Sequence, residues 1–149
     1  MPQATRENLG YLLAKASQRW NELLQEGFAA AGFPEVKASY GSVLIPLFEQ
    51  DGLRMGEIAR RVHLSKQTMT TMVRLCERDG LVKRRPDPDD RRAARVHLTS
   101  KARRFQPAAE AVLAGLERDA EVILGPRRGS DLRRSLADLQ RLGRSTRAA

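Results

Sequence analysis

Residues 81–99, LVKRRPDPDDRRAARVHLT, read as two short strands around a loop, while the sequence on either side repeats with a helical period. Leu81 to Arg85 forms the first strand and Ala94 to Leu98 the second, with Val96 and Leu98 sharing a face. The connection, Pro86 to Ala93, is longer than an ordinary hairpin loop, and long ordered loops tend to carry function. One hairpin among helices limits the chain to a mainly α fold with a small β-hairpin.

The helical stripes locate the remaining elements. Leu9, Leu12, Leu13, Ala16, Trp20, Leu23, Leu24 and Phe28 recur at three- and four-residue steps, and Ala-Gly-Phe-Pro at 31–34 ends that helix. A second helix is expected over about 36–49, kinked or cut short by Pro46, which would lose its bond to the Ser42 carbonyl. A turn at Gln50-Asp51-Gly52 precedes a short helix over 55–64. Ser65 then caps a helix that Gly80 stops. In that helix Met69, Met72, Val73 and Cys76 form the inner stripe, and polar residues occupy the other side. Phe105 to Ile123 supplies another stripe, Gly125-Pro126 and Gly129 are expected to break it, and Leu132, Leu136, Leu139 and Leu142 supply the last. Residues from Arg144 to Ala149 are expected to fray.

Charge is concentrated where the hairpin lies. The chain of 149 residues carries +9 overall, and residues 54–104 hold 15 Lys/Arg against 6 Asp/Glu, so the middle third accounts for the whole excess. Solubility does not require such concentration, whereas contact with a polyanion does. No apolar run approaches the roughly 18 residues of a membrane helix. The segment MPQATRENLG lacks the basic and apolar regions of a signal peptide, and one cysteine, Cys76, excludes an internal disulfide framework. A cytoplasmic location without membrane contact is therefore expected. No Gly-rich phosphate loop, Ser-His-Asp order, paired carboxylates or metal-ligand spacing is present, so neither an enzyme nor a cofactor nor a metal is expected. His63 and His97 read as polar surface, and Cys76 as a small core residue.

Two short helices joined by a tight turn, the second polar on one side and followed by a hairpin, make a winged helix-turn-helix. Such a second helix enters the major groove of double-stranded DNA by its N-terminal end. Its candidate contacts are Ser65, Lys66, Gln67, Thr68, Thr70, Thr71 and Arg74. Gln67 can pair bidentately with adenine, threonine methyls can meet thymine methyls, and Ser65 and Lys66 stand where helix-end N–H groups favour phosphate. Arg74 and Arg78 are better placed for backbone phosphates. On the wing the candidates are Arg84, Arg85, Asp90, Arg91 and Arg92. A narrow A·T-rich minor groove attracts arginine, and Asp90 is expected to hold Arg91 or Arg92 in a fixed direction.

The stretches PDDRRAARVHLT at 88–99 and LSKQTMTTMVRLCERDGLVKR at 64–84 resemble the wing and recognition helix of the MarR family of winged-helix regulators, and the helix order fits nearly the whole chain. Ala102, in place of a usual glycine, Cys76, in place of a usual leucine, and Pro46 depart from that pattern. The resemblance implies a helical dimerisation domain made from residues 1–34 and 102–149 around a DNA-binding domain at 35–101. It implies a homodimer, with Leu9, Leu12, Leu132, Leu136 and Leu139 at its interface. It further implies a repressor on a pseudo-palindromic operator, and a small aromatic or other organic effector. Trp20, Phe28 and Tyr40 are candidate lining for its pocket, with plain core packing as the competing reading. A winged-helix protein-interaction module and a constitutive DNA-binding protein without a ligand switch are the alternatives.

Overall fold

The computed structural model describes residues 4–144, which build five helices and three strands. Helix α1 (Leu9–Ala30) is capped by Asn8, whose side chain accepts the Tyr11 N–H at 3.3 Å. A 3-10 turn (Ala38–Tyr40) leads into α2 (Gly41–Glu49). Strand β1 (Leu53–Arg54) and helix α3 (Met55–Arg61) follow, then α4 (Lys66–Arg78), β2 (Val82–Pro86), β3 (Ala94–Leu98) and α5 (Ser100–Leu139). The strands form one antiparallel sheet in the order β1-β3-β2. The expected hairpin is thus two of three strands; the two residues of β1 are too few to show an alternating pattern.

The described residues fall into two compact units, Met1–Val112 and Leu113–Ala149. The first holds the winged helix. Its core is built by Tyr40, Val43, Leu44 and Leu47 from the second helical segment, Ile58 from α3, Met69, Val73 and Cys76 from α4, and Leu53, Val82 and Val96 from the sheet, all at most 2 % exposed. The sheet register puts Leu53 opposite Val96 and Val82 opposite Leu98, so the inner face is apolar.

The interruptions differ from expectation in two places. Pro46 neither stops nor shortens α2, which continues to Glu49, and Pro46 is itself buried. Its lost backbone bond costs about 3 kcal/mol in a helix interior, which the burial of Val43, Leu44 and Leu47 on the same short helix outweighs. Gly125 breaks the last helix as expected, with φ 78 and ψ 161, but Gly129 stays helical. Within the second unit, Glu117 and Arg133 form a 3.4 Å ion pair across that break. Val122, Ile123, Leu132, Leu136 and Leu142 in this unit are all exposed. Of the terminal segment expected to fray, residues 145–149 lie outside the described residues, and Arg144 sits in a turn.

One kind of stop ends both α1 and α4. At α1, Gly32 takes φ 98, its N–H donates to the Ala29 carbonyl at 3.0 Å, and the Phe33 N–H donates to the Phe28 carbonyl at 2.8 Å. At α4, Gly80 takes φ 78, and the Gly80 and Leu81 N–H groups donate to the Glu77 and Cys76 carbonyls at 3.1 and 2.9 Å. This paired bonding satisfies carbonyls that a helix end leaves open, and it requires a left-handed residue that glycine supplies without strain. Each stop is sealed by apolar packing. Phe28 and Phe33 both meet the Phe105 ring edge-on, at 4.9 and 5.1 Å, and Leu81 is fully buried. Replacing Gly80 by alanine is expected to lower unfolding free energy by about 1–2 kcal/mol through the left-handed backbone alone. A Cβ there would meet only the Lys101 side chain, at ordinary contact distance. Urea denaturation of the variant tests this, and an unchanged midpoint would contradict it.

Candidate nucleic-acid interface

Helix α4 is cut in two lengthwise by its own sequence. Met69, Val73 and Cys76 are buried, while Lys66, Gln67, Thr68, Thr71 and Arg74 are exposed and Thr70 is half-buried. Ser65 caps it as expected, accepting the Thr68 N–H at 3.1 Å and donating its hydroxyl proton to Thr68 Oγ1 at 2.9 Å. The turn before it holds His63 at φ 56, the one non-glycine residue with positive φ among those described. Thr70 and Thr71 donate their hydroxyls to the Lys66 and Gln67 carbonyls one turn back, at 2.8 and 3.2 Å. Those hydroxyls are engaged within the helix, so Lys66, Gln67 and Arg74 are its outward-directed polar groups.

The wing residues Arg84, Arg85, Asp90, Arg91 and Arg92 are all exposed. They are not equivalent. Arg84 lies on the same sheet face as Val96, turns toward α4, and binds Glu77 through two hydrogen bonds at 3.2 and 3.0 Å. Among the described residues Lys66, Arg85, Arg91 and Arg92 form no ion pair. Asp90 does not hold a neighbouring guanidinium; its carboxylate accepts the Arg92 backbone N–H at 3.0 Å, closing a local turn two residues long. The charged clamp of the wing is Asp87 instead. It is 2 % exposed, and Arg54 Nε and Arg95 Nε lie 2.5 and 3.4 Å from its two oxygens. Asp87 Oδ1 also accepts the Asp89 N–H at 2.9 Å, and the Asp87 N–H donates to the Ala93 carbonyl at 3.0 Å across the loop.

A second polar cluster ties the C-terminal end of α4 to three other elements. The Tyr40 hydroxyl donates to Asp79, whose carboxylate also receives Arg78. Lys101 donates to the Asp79 carbonyl at 2.8 Å and pairs with Glu35 at 2.6 Å, and the Thr99 hydroxyl donates to the Gly80 carbonyl at 2.6 Å. Arg78, expected at a phosphate, is thus held by its neighbour Asp79. Ala102, which stands where the family usually has glycine, is fully buried, and its N–H donates to Thr99 Oγ1 at 3.2 Å in an ordinary cap.

The expected effector pocket does not take shape from its three aromatics. Phe28 packs on Phe105, Tyr40 is wholly buried with its hydroxyl on Asp79, and Trp20 is half-buried on α1. The open cavity of about 450 Å³ beside Asp79 is lined by Gln25, Pro34, Glu35, Lys37, Arg78 and Asp79, with none of the three in its wall. Of the expected interface leucines, Leu9, Leu12, Leu132 and Leu136 are exposed and Leu139 is half-buried. Cys76 is fully buried, and burial first, with Asp79 second, pushes its thiol up to about 12. Among the described residues no cluster of His, Cys, Asp and Glu could hold a metal ion. No described helix is long and apolar enough to cross a membrane.

Asp87, Arg54, Arg95, Glu77 and Asp79 were all missed as site residues in the sequence. The available signal was the presence of three aspartates in one loop, but choosing among them needs the pairing of β1 with β3, across more than 40 residues. Several of these carboxyls sit below their ordinary pKa. A Lys101 hydrogen bond lowers Glu35, Arg84 lowers Glu77, and Arg78 followed by Tyr40 lowers Asp79. The Asp89 N–H, then Arg54 and Arg95, lower Asp87. Each therefore favours the folded state in its ionised form. That contribution is complete above the ordinary values of 3.8 and 4.5 and is lost as pH falls through the lowered ones. The melting temperature at fixed ionic strength is accordingly expected to decline progressively below about pH 4. A flat or rising profile on acidification would contradict the assignment.

The fold and this surface have relatives. A model of the MarR family matches residues 38–94, from the 3-10 turn to the first residue of β3. The HTH-type transcriptional repressor YetL of Bacillus subtilis is 30% identical over 89 residues, 58% of this chain. That match spans 52% of YetL, so the chain aligns with about half the length of this curated relative. A probable transcriptional regulator from Pseudomonas aeruginosa superimposes with a TM-score of 0.78 at 26% identity, covering 89% of this chain and 97% of the other. The transcriptional repressor CouR, solved bound to a 23-mer DNA duplex, also gives 0.78 at 26% identity, covering 94% of this chain and 100% of CouR. With its helix-turn-helix, its wing and these relatives in agreement, residues 38–94 match the MarR family, and the chain as a whole has the fold of transcriptional regulators such as CouR.

Proposed function

We propose that the chain is a DNA-binding transcription regulator that acts as a homodimer on a pseudo-palindromic operator and represses by occluding it. The observation that carries this reading is the pairing, on one compact unit, of the exposed polar side of α4 with an arginine-tipped wing. Lys66, Gln67 and Arg74 would face the major groove, and Arg91 and Arg92 the adjacent minor groove. Ser65, Thr68, Thr70 and Thr71 shape the helix surface between them, and Arg85 stands free for phosphate. The duplex held by CouR and the repressor role in YetL's name support the same reading. Dimerisation through the residues flanking 35–101 is supported by the exposed Leu9, Leu12, Leu132 and Leu136, since a chain seldom leaves so many leucines in water. Two α4 helices would then read half-sites one helical turn apart. Release by a small organic effector rests on the family resemblance alone.

Selection of bound duplexes from a random pool tests the reading directly and should return symmetric sequences. Affinity for the selected duplex should fall at least ~10³-fold between about 50 and 200 mM salt if six or more phosphates are contacted. A flat response would point to a protein-interaction module instead. In the same selection, Gln67→Ala is expected to relax the base preference at one symmetric pair of positions, worth about 1–3 kcal/mol of discrimination at each. An unaltered preference would remove Gln67 from the base contacts. Leu136→Asp combined with Leu139→Asp should halve the mass measured by sedimentation, and an unchanged mass would place the interface elsewhere.

A further inference from the structure

The three-stranded sheet carries an unusual row on its outer face. Its register sets Arg54 of β1 directly opposite Arg95 of β3, and Arg95 directly opposite Arg85 of β2. Three guanidinium-bearing residues therefore stand side by side across all three strands. Like charges directly opposed destabilise a sheet. Two carboxylates offset the row in part: Asp87, and the exposed Asp89, whose Oδ2 lies 3.8 Å from Arg95 Nη2. Asp87, two residues beyond Arg85 and on the same face, reaches back over it, to within 2.5 Å of Arg54 and 3.4 Å of Arg95. It is the only buried polar or charged residue among those described. These are charge contacts more than directed hydrogen bonds, since neither Asp87 Oδ2 nor Arg95 Nε has an aligned hydrogen-bond partner. The same residue fixes the loop through its backbone and carboxylate bonds to Ala93 and Asp89.

We propose that Asp87 is the positioning residue of the wing: by holding Arg54 and Arg95 and offsetting part of their charge it anchors the base of the loop and so sets the direction of Arg91 and Arg92. This rests on the DNA-binding reading above. Asp87 touches no DNA itself; it is enclosed by arginines. Arg54 and Arg95 are likewise committed to it, which withholds them from phosphate and leaves Arg85 as the exposed cation of the row. Removing the Asp87 charge makes the protein more positive, so simple electrostatics forecasts tighter DNA binding. A positioning role forecasts weaker reading of the minor groove. The two forecasts have opposite signs.

The test uses the full chain and two duplexes that share a core selected from a random pool, one flanked by A·T pairs and the other by G·C pairs. For the parent, the ratio of affinities should favour the A·T-flanked duplex. In Asp87→Asn that ratio is expected to fall toward one while the G·C-flanked duplex is bound as well as before or better. Amide exchange in residues 85–97 should accelerate while α4 is unchanged, and Asp87→Glu, which restores the charge, should recover much of the ratio. Partial misfolding would reduce both affinities alike and leave their ratio intact, so the ratio separates aiming from mere stability. Should Asp87→Asn lose the parent's circular dichroism, Arg54→Gln, which leaves Asp87 its Arg95 partner, is expected to show a smaller fall in the same ratio. An unchanged ratio in the folded variant, or unchanged exchange in the wing, overturns the proposal while the DNA-binding reading stands. A parent that binds neither duplex overturns that reading, and the positioning role with it.

Discussion

The turn at Asp79-Gly80-Leu81 is the constraint on which the arrangement of the winged helix depends. There the chain leaves α4 and starts β2 within three residues, so the angle between α4 and the wing is set in one place. Gly80 makes the turn sterically possible, and Leu81 anchors it in the core. The carbonyls of Asp79 and Gly80 are then taken by Lys101 and Thr99 from the start of α5, and the Asp79 carboxylate by Tyr40. Three segments far apart in sequence thus converge on a single stop. Burial and the Asp79 hydrogen bond push the Tyr40 hydroxyl up to about 12, so at neutral pH it keeps the proton that it donates to Asp79.

The sheet solves a different problem. The surface gathers cations that repel one another, and the fold separates their roles. Arg84 is paired with Glu77 and links the wing to α4; Arg54 and Arg95 share Asp87, with Asp89 also near Arg95, and hold the base of the wing. Arg85, Arg91 and Arg92 are left without ion pairs at the exposed end. Net charge alone does not reveal this division, because paired and open arginines count equally in the sum.

How much of this the sequence disclosed follows the range of the interactions. Ser65, Gly32 and Gly80 act on residues three to five positions away, and all three were recognisable from their place beside a periodic stripe. The inner stripe of α4 was equally legible, and so was the second wing strand, Ala94–Leu98, to the residue. The two-residue β1 was not, because its identity comes from pairing with Val96 and Arg95 rather than from any pattern of its own. Asp87 escaped for the same reason. Among three neighbouring aspartates only the register of the sheet decides which one is enclosed, and adjacency to Arg91 and Arg92 pointed to Asp90, which serves a local turn. Pro46 does not end α2 early, because its cost is intrinsic and visible while the burial that compensates it belongs to the tertiary core.

The burial of Cys76 gives the molecule a property of its own. The lone sulfur is packed into the inner side of α4 with its thiol pushed far from ionisation, so reagents that need a thiolate meet it only when the helix lifts from the core. Alkylation at this position therefore reports opening of the core around α4, in the natural chain and without any added label.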